Sequence, residues 1–201
     1  MRFKKSITNE EIKKMPRKEF EGDIFLIDTI EKLDIALPLL REHSQLGFDT
    51  EAKPSFKKGR VNKTALLQLA TSDIAFLFRI NRIGLPDELA RILSDDTIMK
   101  LGLAIKDDLR DLKKLKSFEP KNFVDIQNIA QELSIKNTGL KKLSAIVLEG
   151  RISKSQRLSN WEKEILSPAQ LRYAATDAWV CYELYNRLTE DGQNEINPDN
   201  T

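Results

Sequence analysis

The sequence contains very few of the residues that build disulfides and zinc sites. It has one cysteine, Cys181, and one histidine, His43. No internal disulfide can therefore form, and no cluster of cysteines and histidines is available to bind zinc. The scarcity of cysteine is typical of a reducing, intracellular compartment, so we expect a cytoplasmic protein.

Long apolar segments are also missing. No apolar run approaches the length of a transmembrane helix, and the basic start of the chain is not followed by the apolar core of a signal peptide. We therefore expect no association with a membrane. Charge of one sign is not in excess either, because 33 Lys and Arg residues face 31 Asp and Glu residues and leave a net charge of +2. Such a balance does not by itself indicate a nucleic-acid-binding protein, and any basic surface has to be local.

What the sequence does contain is enough for one soluble domain with a sizeable core, because 40% of its 201 residues are hydrophobic. Apolar runs and alternation predict strands at Asp23–Asp28, Leu46–Glu51, Ala65–Ala70, Ile74–Ile80, Ile98–Ile105 and Asn122–Ile126. Capping residues and helical spacing predict helices at Thr29–Ser44, Pro86–Leu93, from Lys106 through Leu115, Gln127–Leu133, Asn137–Gly150 and Pro168 to about Leu188. Strands that alternate with helices, plus an early hairpin, predict an α/β fold with a mixed sheet.

The two ends of the chain are polar. Residues 1–21 are rich in basic side chains and are expected to form a loosely held arm with one short helix capped by Thr8. Residues 191–201 are expected to be a disordered tail.

The most informative stretch is Leu46–Glu51, which reads as a buried strand that ends in Asp49 and Glu51. Side chains alternate between the faces of a strand, so the two carboxylates point the same way. Neighbouring carboxylates repel each other and resist burial unless a cation lies between them, and a hard divalent cation is the natural candidate. The alternative is a strand end that runs into a polar loop, and the pair alone does not decide between the two.

Two further stretches end a core element with an acid. One is Gly102–Asp108, at a junction between a strand and a helix. The other is on the last long helix, where Tyr173 and Asp177 are four residues apart and share one helix face beside small alanines. Small residues allow this helix to lie close to its neighbour. The alternative for the Tyr–Asp pair is a side-chain hydrogen bond on a solvated face.

Taken together, these stretches resemble the 3′–5′ exonucleases of the DEDDy class, which have four conserved acids and a tyrosine. This is the ribonuclease D and Werner-syndrome exonuclease type, similar to the proofreading exonuclease of DNA polymerase A. The residues that carry the resemblance are Phe48–Glu51, Gly102–Asp108, Lys121–Asp125, Ser159–Trp161 and Leu171–Ala178. The resemblance covers residues 22–190 and implies a ribonuclease H-like fold for this domain, with a mixed central sheet flanked by helices.

The resemblance also implies the chemistry of the site. Four acids would bind two divalent cations, Mg²⁺ or Mn²⁺: Asp49, Glu51, Asp108 and Asp177. Asp108 matches the second acid of the family by its distance from Gly102, and Asp107 is the fallback. Tyr173 would orient the attacking water. The expected reaction is the release of nucleoside 5′-monophosphates from the 3′ end of a nucleic acid.

A strand of nucleic acid is the expected partner, either single-stranded or with an exposed 3′ end, and the residues do not discriminate DNA from RNA. Basic side chains are needed to hold it beside an acidic site, and five are candidates: Lys57, Lys58 and Arg60 in the loop after Glu51, and Lys154 and Arg157 shortly before Trp161. For the loop, the alternative is a solvated surface segment. A different class of function also stays open, namely a catalytically inactive nucleic-acid-binding adaptor on the same fold.

Overall fold

A mixed sheet lies at the centre of the computed structural model, which describes residues 3–55 and 62–194. In this part of the chain the strands are β1 (Asp23–Ile27), β2 (Gln45–Ala52), β3 (Thr64–Ala70), β4 (Ile74–Phe78), β5 (Met99–Gly102) and β6 (Phe123–Asp125). Their order across the sheet is β1-β4-β3-β2-β5-β6. Strand β3 is antiparallel to both of its neighbours, β2 and β4, and the other neighbouring pairs are parallel. The predicted α/β fold with a mixed sheet is confirmed, including the β3–β4 hairpin.

Helices cover both sides of the sheet. Those in the described residues are α1 (Asn9–Lys13), α2 (Ile30–Arg41), α3 (Ile80–Ile83), α4 (Asp87–Leu93), α5 (Lys106–Leu115), α6 (Ile126–Glu132), α7 (Leu140–Val147) and α8 (Pro168–Asn194). Helix α8 begins where Ser167 and Pro168 predicted it. The Gln170 N–H donates to the Ser167 hydroxyl at 3.3 Å, and the Ser167 N–H donates to the Gln170 side-chain oxygen at 3.1 Å. Within the described residues, none of these helices combines the length and the apolar character needed to cross a bilayer.

The predicted strand Ile98–Ile105 is wrong at its end, because β5 stops at Gly102. Ala104 has a φ of +59°, and Ile105 already has helical dihedral angles. The chain therefore turns into α5 within three residues of the strand. An apolar run does not reveal this turn, because alanine at positive φ is uncommon.

Several other predicted elements also extend too far, including the strand Ile74–Ile80, which ends at Phe78. The predicted strand Asn122–Ile126 ends at Asp125, whose carboxylate accepts the Gln127 N–H at 3.0 Å and caps α6. The predicted helix Thr29–Ser44 ends at Arg41, and the chain then enters β2.

Residues 3–21 are packed onto the domain rather than loosely held. Their buried apolar side chains are Ile7, Ile12 and Phe20. The backbone is held as well, because the Lys18 N–H donates to the Arg151 carbonyl and the Arg151 N–H donates to the Pro16 carbonyl, both at 2.9 Å. Apolar residues spaced irregularly in a basic segment gave no periodic signal, although they are what anchors it.

The sheet has two unlike faces. We call the face covered by α2, α4 and α5 the apolar face, and its strands contribute the large side chains Leu46, Phe48, Leu67, Leu69, Phe76 and Phe78. We call the opposite side the α8 face, where small residues of the sheet and of the helix meet: Ala70, Ala75, Ala174, Ala175 and Ala178. Small side chains allow a helix axis to lie closer to a sheet. Asp49 and Glu51 of β2 lie on this second face.

Candidate active site

Strand β2 presents Asp49 and Glu51 on the α8 face. Alternation places Phe48 between the sheet and the apolar-face helices, where it is 1% exposed. The register pairs Asp49 with Gln68 on β3 and Glu51 with Leu66, so both acids lie within the sheet rather than in a loop. The strand continues to Ala52. Both acids therefore belong to β2 itself, and the loop begins two residues after Glu51.

The close approach of α8 depends on Gly47. A Cβ atom added to Gly47 would lie 2.0 Å from the carbonyl oxygen of Ala178, which is backbone and cannot rotate away. The alanines Ala174, Ala175 and Ala178 are all 0% exposed. This combination of small residues seats the helix directly on β2 and brings Asp177 over the strand.

Three carboxylates converge as a result. Asp49, Glu51 and Asp177 each offer one carboxylate oxygen, and these oxygens lie within 4.8 Å of one another. Asp177 is 2% exposed, whereas Asp49 and Glu51 are half-buried. The three residues come from separated parts of the chain, so their convergence is a property of the fold and not of local sequence.

The electrostatics of the cluster are those of crowded acids. Burial, reinforced by Asp177 and Asp108, raises the pKa of Asp49 well above its usual range. Burial, reinforced by Asp49 and Asp177, raises the pKa of Glu51 to about 9. Burial also raises the pKa of Asp177, although Lys154 opposes this shift. Without a divalent cation, the cluster holds protons that a carboxyl group in water would lose.

Lys154 makes direct contact with the cluster. Its ammonium nitrogen lies 3.0 Å from Oδ1 and 2.9 Å from Oδ2 of Asp177, so it donates to both carboxylate oxygens. The same nitrogen lies 5.4 Å from the ring centroid of Tyr173. The sequence placed Lys154 among the residues that hold the substrate, and the structure places it inside the acidic site.

Asp108 lies beside the cluster rather than in it. Its carboxylate accepts a hydrogen bond from the hydroxyl of Thr50, the residue between the two acids of β2. Its charge contributes to the raised pKa of both Asp49 and Glu51. Asp107, the fallback, instead faces solvent with a side chain 74% exposed and pairs with Arg110 at 2.6 Å. Of the two acids, Asp108 is therefore the one that lies beside the cluster.

Tyr173 lies one turn before Asp177 on α8 and is 6% exposed. Its ring packs against the buried ring of Trp161, with centroids 5.9 Å apart. Burial, with the neighbouring carboxylates Asp177 and Glu51, raises the pKa of the Tyr173 phenol above its ordinary value. The phenol is therefore neutral at physiological pH. Trp161 is itself 0% exposed, so it supports the ring by packing.

Of the other predicted basic residues, Arg157 is the one that the structure describes. Lys57, Lys58 and Arg60 lie outside the described residues. Arg157 is exposed, and its backbone N–H donates to the Lys154 carbonyl at 3.4 Å. Lys53, at the start of the basic loop, pairs with Glu162 at 3.3 Å.

Sequence reasoning missed the contribution of the N-terminal segment. A cavity of about 190 Å³ lies next to Tyr173, and the segment forms one wall of it with Arg17, Lys18 and Glu19. Sequence reasoning also missed Thr50, which was read only as the spacer between two acids. Because side chains alternate along β2, the Thr50 hydroxyl points to the face opposite Asp49 and Glu51. A polar group at that position is the feature of the sequence that could have revealed its role.

The donor set fits a hard divalent cation. Carboxylate oxygens are the ligands that Mg²⁺ and Mn²⁺ prefer, and a cation at their centre would relieve the repulsion that raises their pKa values. Asp49, Glu51 and Asp177 would hold it, whereas the carboxylate of Asp108 is hydrogen-bonded to Thr50.

A family match and curated relatives of the chain carry the same description, that of a 3′–5′ exonuclease. Residues 24–193 match a family described as 3′–5′ exonuclease. The chain is 32% identical to a 3′–5′ exonuclease of Arabidopsis thaliana over 151 residues, which cover 72% of this chain and 52% of the relative. It is 34% identical to the bifunctional 3′–5′ exonuclease/ATP-dependent helicase WRN of Mus musculus over 157 residues, which cover 74% of this chain and 11% of the relative. This chain thus spans about half, or less, of the length of these relatives.

Among solved structures, the chain is similar to the crystal structure of the Nibbler EXO domain of Aedes aegypti. The TM-score is 0.80 at 27% sequence identity, and the alignment covers 90% of this chain and 95% of that one. The architecture built around the three carboxylates is therefore that of a known domain type.

Proposed function

This chain belongs to the family of 3′–5′ exonucleases, as its motifs indicated, and we propose that it removes nucleotides one at a time from the 3′ end of a nucleic acid by metal-dependent hydrolysis. The products would be nucleoside 5′-monophosphates. The observation that supports this proposal best is the convergence of Asp49, Glu51 and Asp177, with Tyr173 on the same helix face as Asp177.

The carboxylates would hold the catalytic cations. Asp49, Glu51 and Asp177 supply oxygens close enough to share one ion, and Asp108 would complete a second position. Two divalent cations, Mg²⁺ or Mn²⁺, would supply a nucleophile at neutral pH and stabilise charge on the leaving 3′-oxygen. The protein contributes a rigid frame, because two of the acids are on a central strand and Asp177 is on a helix locked against it.

Tyr173 would orient the attacking water. Its neutral phenol can donate one hydrogen bond and accept another, and its ring is held by Trp161. A raised pKa keeps the phenol protonated, so it has no basic oxygen to accept the proton lost by water, and its role is orientation rather than general base catalysis. Removing the hydroxyl should slow the reaction without removing the cations.

Basic groups around the acidic centre would hold the strand. Lys154 and Arg157 are the described candidates, and Lys57, Lys58 and Arg60 are candidates from sequence. Binding through such contacts weakens as salt rises, because each phosphate contact releases condensed counterions. A preference for DNA or RNA would require contacts to the 2′-hydroxyl.

The test uses single-stranded DNA and RNA oligonucleotides labelled at the 5′ end, with Mg²⁺, with Mn²⁺ and with a chelator. We expect a ladder of products shortened from the 3′ end with either metal and no shortening with the chelator. A circular single strand of the same composition should stay intact, because it has no 3′ end. Cleavage of the circle, or binding of the linear strand without any metal-dependent shortening, would contradict the proposal.

The matched variant is Asp49→Asn, which keeps the shape of the side chain and removes one ligand charge. We expect turnover to fall by at least about a thousandfold, because the cation loses a central ligand. Thermal unfolding should show that the variant remains folded, since the substitution also removes repulsion among buried acids. Turnover within a few fold of the parent protein would argue against Asp49 as a ligand.

A further inference from the structure

The acidic site contains a cation of its own, the ammonium group of Lys154. Its two contacts to Asp177, at 2.9 and 3.0 Å, engage both oxygens of one carboxylate. Within the described residues, the pair of Lys154 with Asp177 is the only ion pair that Asp49, Glu51 or Asp177 makes. Lys154 also lies 5.4 Å from the ring of Tyr173, so the ammonium lies between the two functional groups of α8.

This position conflicts with a divalent cation on the same carboxylate. A Mg²⁺ ion binds carboxylate oxygens at about 2.0–2.1 Å. An ion bound to Asp177 would therefore lie within about 4–5 Å of an ammonium that donates to the same oxygens, where like charges repel strongly. The lysine and the ion cannot both keep their best contacts with Asp177.

The structure indicates which partner would move. Asp177 is part of a long helix seated on the sheet, and its side chain is 3% exposed. The Lys154 side chain is 29% exposed and belongs to a segment outside the helices and strands. A flexible four-carbon side chain that enters from the solvent side can withdraw, while the carboxylate stays in place.

We propose that Lys154 is a built-in counter-cation, which neutralises Asp177 when no divalent cation is bound and is displaced from that carboxylate when a cation binds. The inference rests on the proposed function for the identity of the cation. Lys154 would then have two partners in succession, first the carboxylate of Asp177 and then a phosphate of the nucleic acid. The displaced ammonium stays at the edge of the site, where that phosphate can reach it. Lys154 would thus couple metal binding to nucleic-acid binding.

A purely structural role for Lys154 predicts the opposite change in metal affinity. If Lys154 only held Asp177 in the correct rotamer for the metal, its removal would weaken metal binding. If Lys154 competes with the metal, its removal strengthens metal binding. The sign of the change in affinity therefore decides between the two roles.

The experiment measures Mn²⁺ binding by calorimetry in the full chain without nucleic acid. Lys154→Gln should bind Mn²⁺ at least about tenfold more tightly than the parent protein, because the competing charge is gone. Lys154→Arg keeps the charge and should stay within about threefold. Lys141→Gln on α7 is the control, since it makes the same change of net charge at an exposed position away from the cluster and should leave the affinity unchanged.

A measurement on the unaltered protein makes the test independent of any variant's folding. The side-chain nitrogen signal of Lys154, assigned in protein labelled with ¹⁵N-lysine, should shift on titration with Mg²⁺ as the bonds to Asp177 break. Unchanged or weaker Mn²⁺ binding by Lys154→Gln, or a Lys154 signal that does not respond to Mg²⁺, would overturn the inference.

Failure of the inference can be told from failure of the proposed function. A parent protein that binds Mn²⁺ and shortens oligonucleotides, together with a Lys154→Gln variant that binds no more tightly, rejects the counter-cation role alone. A parent protein that binds no Mn²⁺ rejects both.

Discussion

The two faces of the central sheet follow different rules. The apolar face buries large aliphatic and aromatic side chains, such as Phe48, Leu69 and Phe76, against α2, α4 and α5. On the α8 face, glycine, alanine and three carboxylates stand where the helix meets β2, and large apolar side chains such as Leu66, Leu77 and Trp161 form a separate cluster beside them. Both faces belong to the same strands, and alternate residues of β2 serve one face and then the other.

The difference indicates that each face has its own task. Large apolar side chains contribute the transfer free energy that stabilises the fold, at about 25 cal/mol per Å² of buried apolar surface. Small side chains contribute less, and clustered acids oppose folding, but together they position Asp177 over Asp49. The apolar clusters on both faces thus stabilise the fold, and the α8 face in addition accepts destabilising groups in the geometry that catalysis would need.

The largest effect is expected from Gly47→Ala, which adds a methyl group where α8 lies closest to β2. The added Cβ would lie 2.0 Å from the Ala178 carbonyl oxygen, so α8 has to shift outward. We expect the free energy of unfolding to fall by about 3 kcal/mol, because the clash is with backbone. Turnover by the folded fraction should fall about 100-fold, since Asp177 moves away from Asp49. Urea unfolding and oligonucleotide assays on the same preparation measure the two effects.

The matched control for this variant is Gly139→Ala. A Cβ added to Gly139 meets no atom within 4 Å, and its φ is −76°, which alanine accepts. This variant should stay within about 0.5 kcal/mol of the parent protein. Equal effects of the two substitutions would show that close approach of α8 does not matter.

Much of this division could be predicted from the sequence. Alternation along a strand puts Asp49 and Glu51 on one face, and a four-residue spacing puts Tyr173 and Asp177 on one side of a helix, because both periods are fixed by backbone geometry. The small residues around Asp177 indicated a close approach. The family motifs then supplied the pairing of the two stretches, which local periodicity cannot give.

Contacts between distant side chains could not be predicted. The bond from Thr50 to Asp108 joins β2 to α5, and the bonds from Lys154 to Asp177 join a segment without regular structure to α8. The packed N-terminal segment was missed because its buried side chains, including Phe20, follow no helix or strand period. These interactions depend on tertiary structure, which a pattern of residue types along the chain does not encode.

The acids of the α8 face should make the stability of the metal-free protein depend on pH. The raised pKa values of Asp49, Glu51 and Asp177 mean that the folded state binds more protons than the unfolded state, from the ordinary carboxyl pKa up to about 9 for Glu51. The stability that these extra protons contribute is therefore fully present below about pH 4 and is lost as pH rises through this range. We expect a loss of about 3 kcal/mol between pH 6 and pH 8 from Glu51 alone, at about 1.4 kcal/mol per pH unit for the one extra proton that the folded state holds.

Urea unfolding in the presence of a chelator, repeated at several pH values, measures this slope. Glu51→Gln should flatten it, because the variant side chain cannot titrate. Saturating Mg²⁺ should also reduce it, since a cation stabilises the ionised acids. A chelated parent protein whose stability rises from pH 6 to pH 8 would show that the cluster is not under electrostatic strain.

The smallest effect is expected on the apolar face, where Lys100 is the exception to the rule. It is 0% exposed, its ammonium donates to the Asp95 carbonyl at 2.6 Å, and it lies 5.1 Å from the ring centroid of Phe123. Burial lowers the pKa of Lys100 to about 8. Between pH 8 and about 10.5 the unfolded state binds more protons, so this lysine makes stability rise with pH, opposite in sign to the acids.

Replacing this lysine sharpens the contrast between the faces. Lys100→Met keeps the length of the side chain and removes a buried charge, so at pH 7 we expect the free energy of unfolding to rise by about 1 kcal/mol. The gain is small because the variant loses the hydrogen bond to the Asp95 carbonyl and the contact with the Phe123 ring.

The rise in stability between pH 8 and pH 10.5 should disappear in Lys100→Met. The fall in stability between pH 6 and pH 8 should persist, because the acids that cause it lie on the other face. Exposed Lys141→Met is the control and should change neither limb of the pH profile. A destabilised Lys100→Met variant would mean that the apolar face depends on its one buried charge, and the division between the two faces would then be less strict than their side chains suggest.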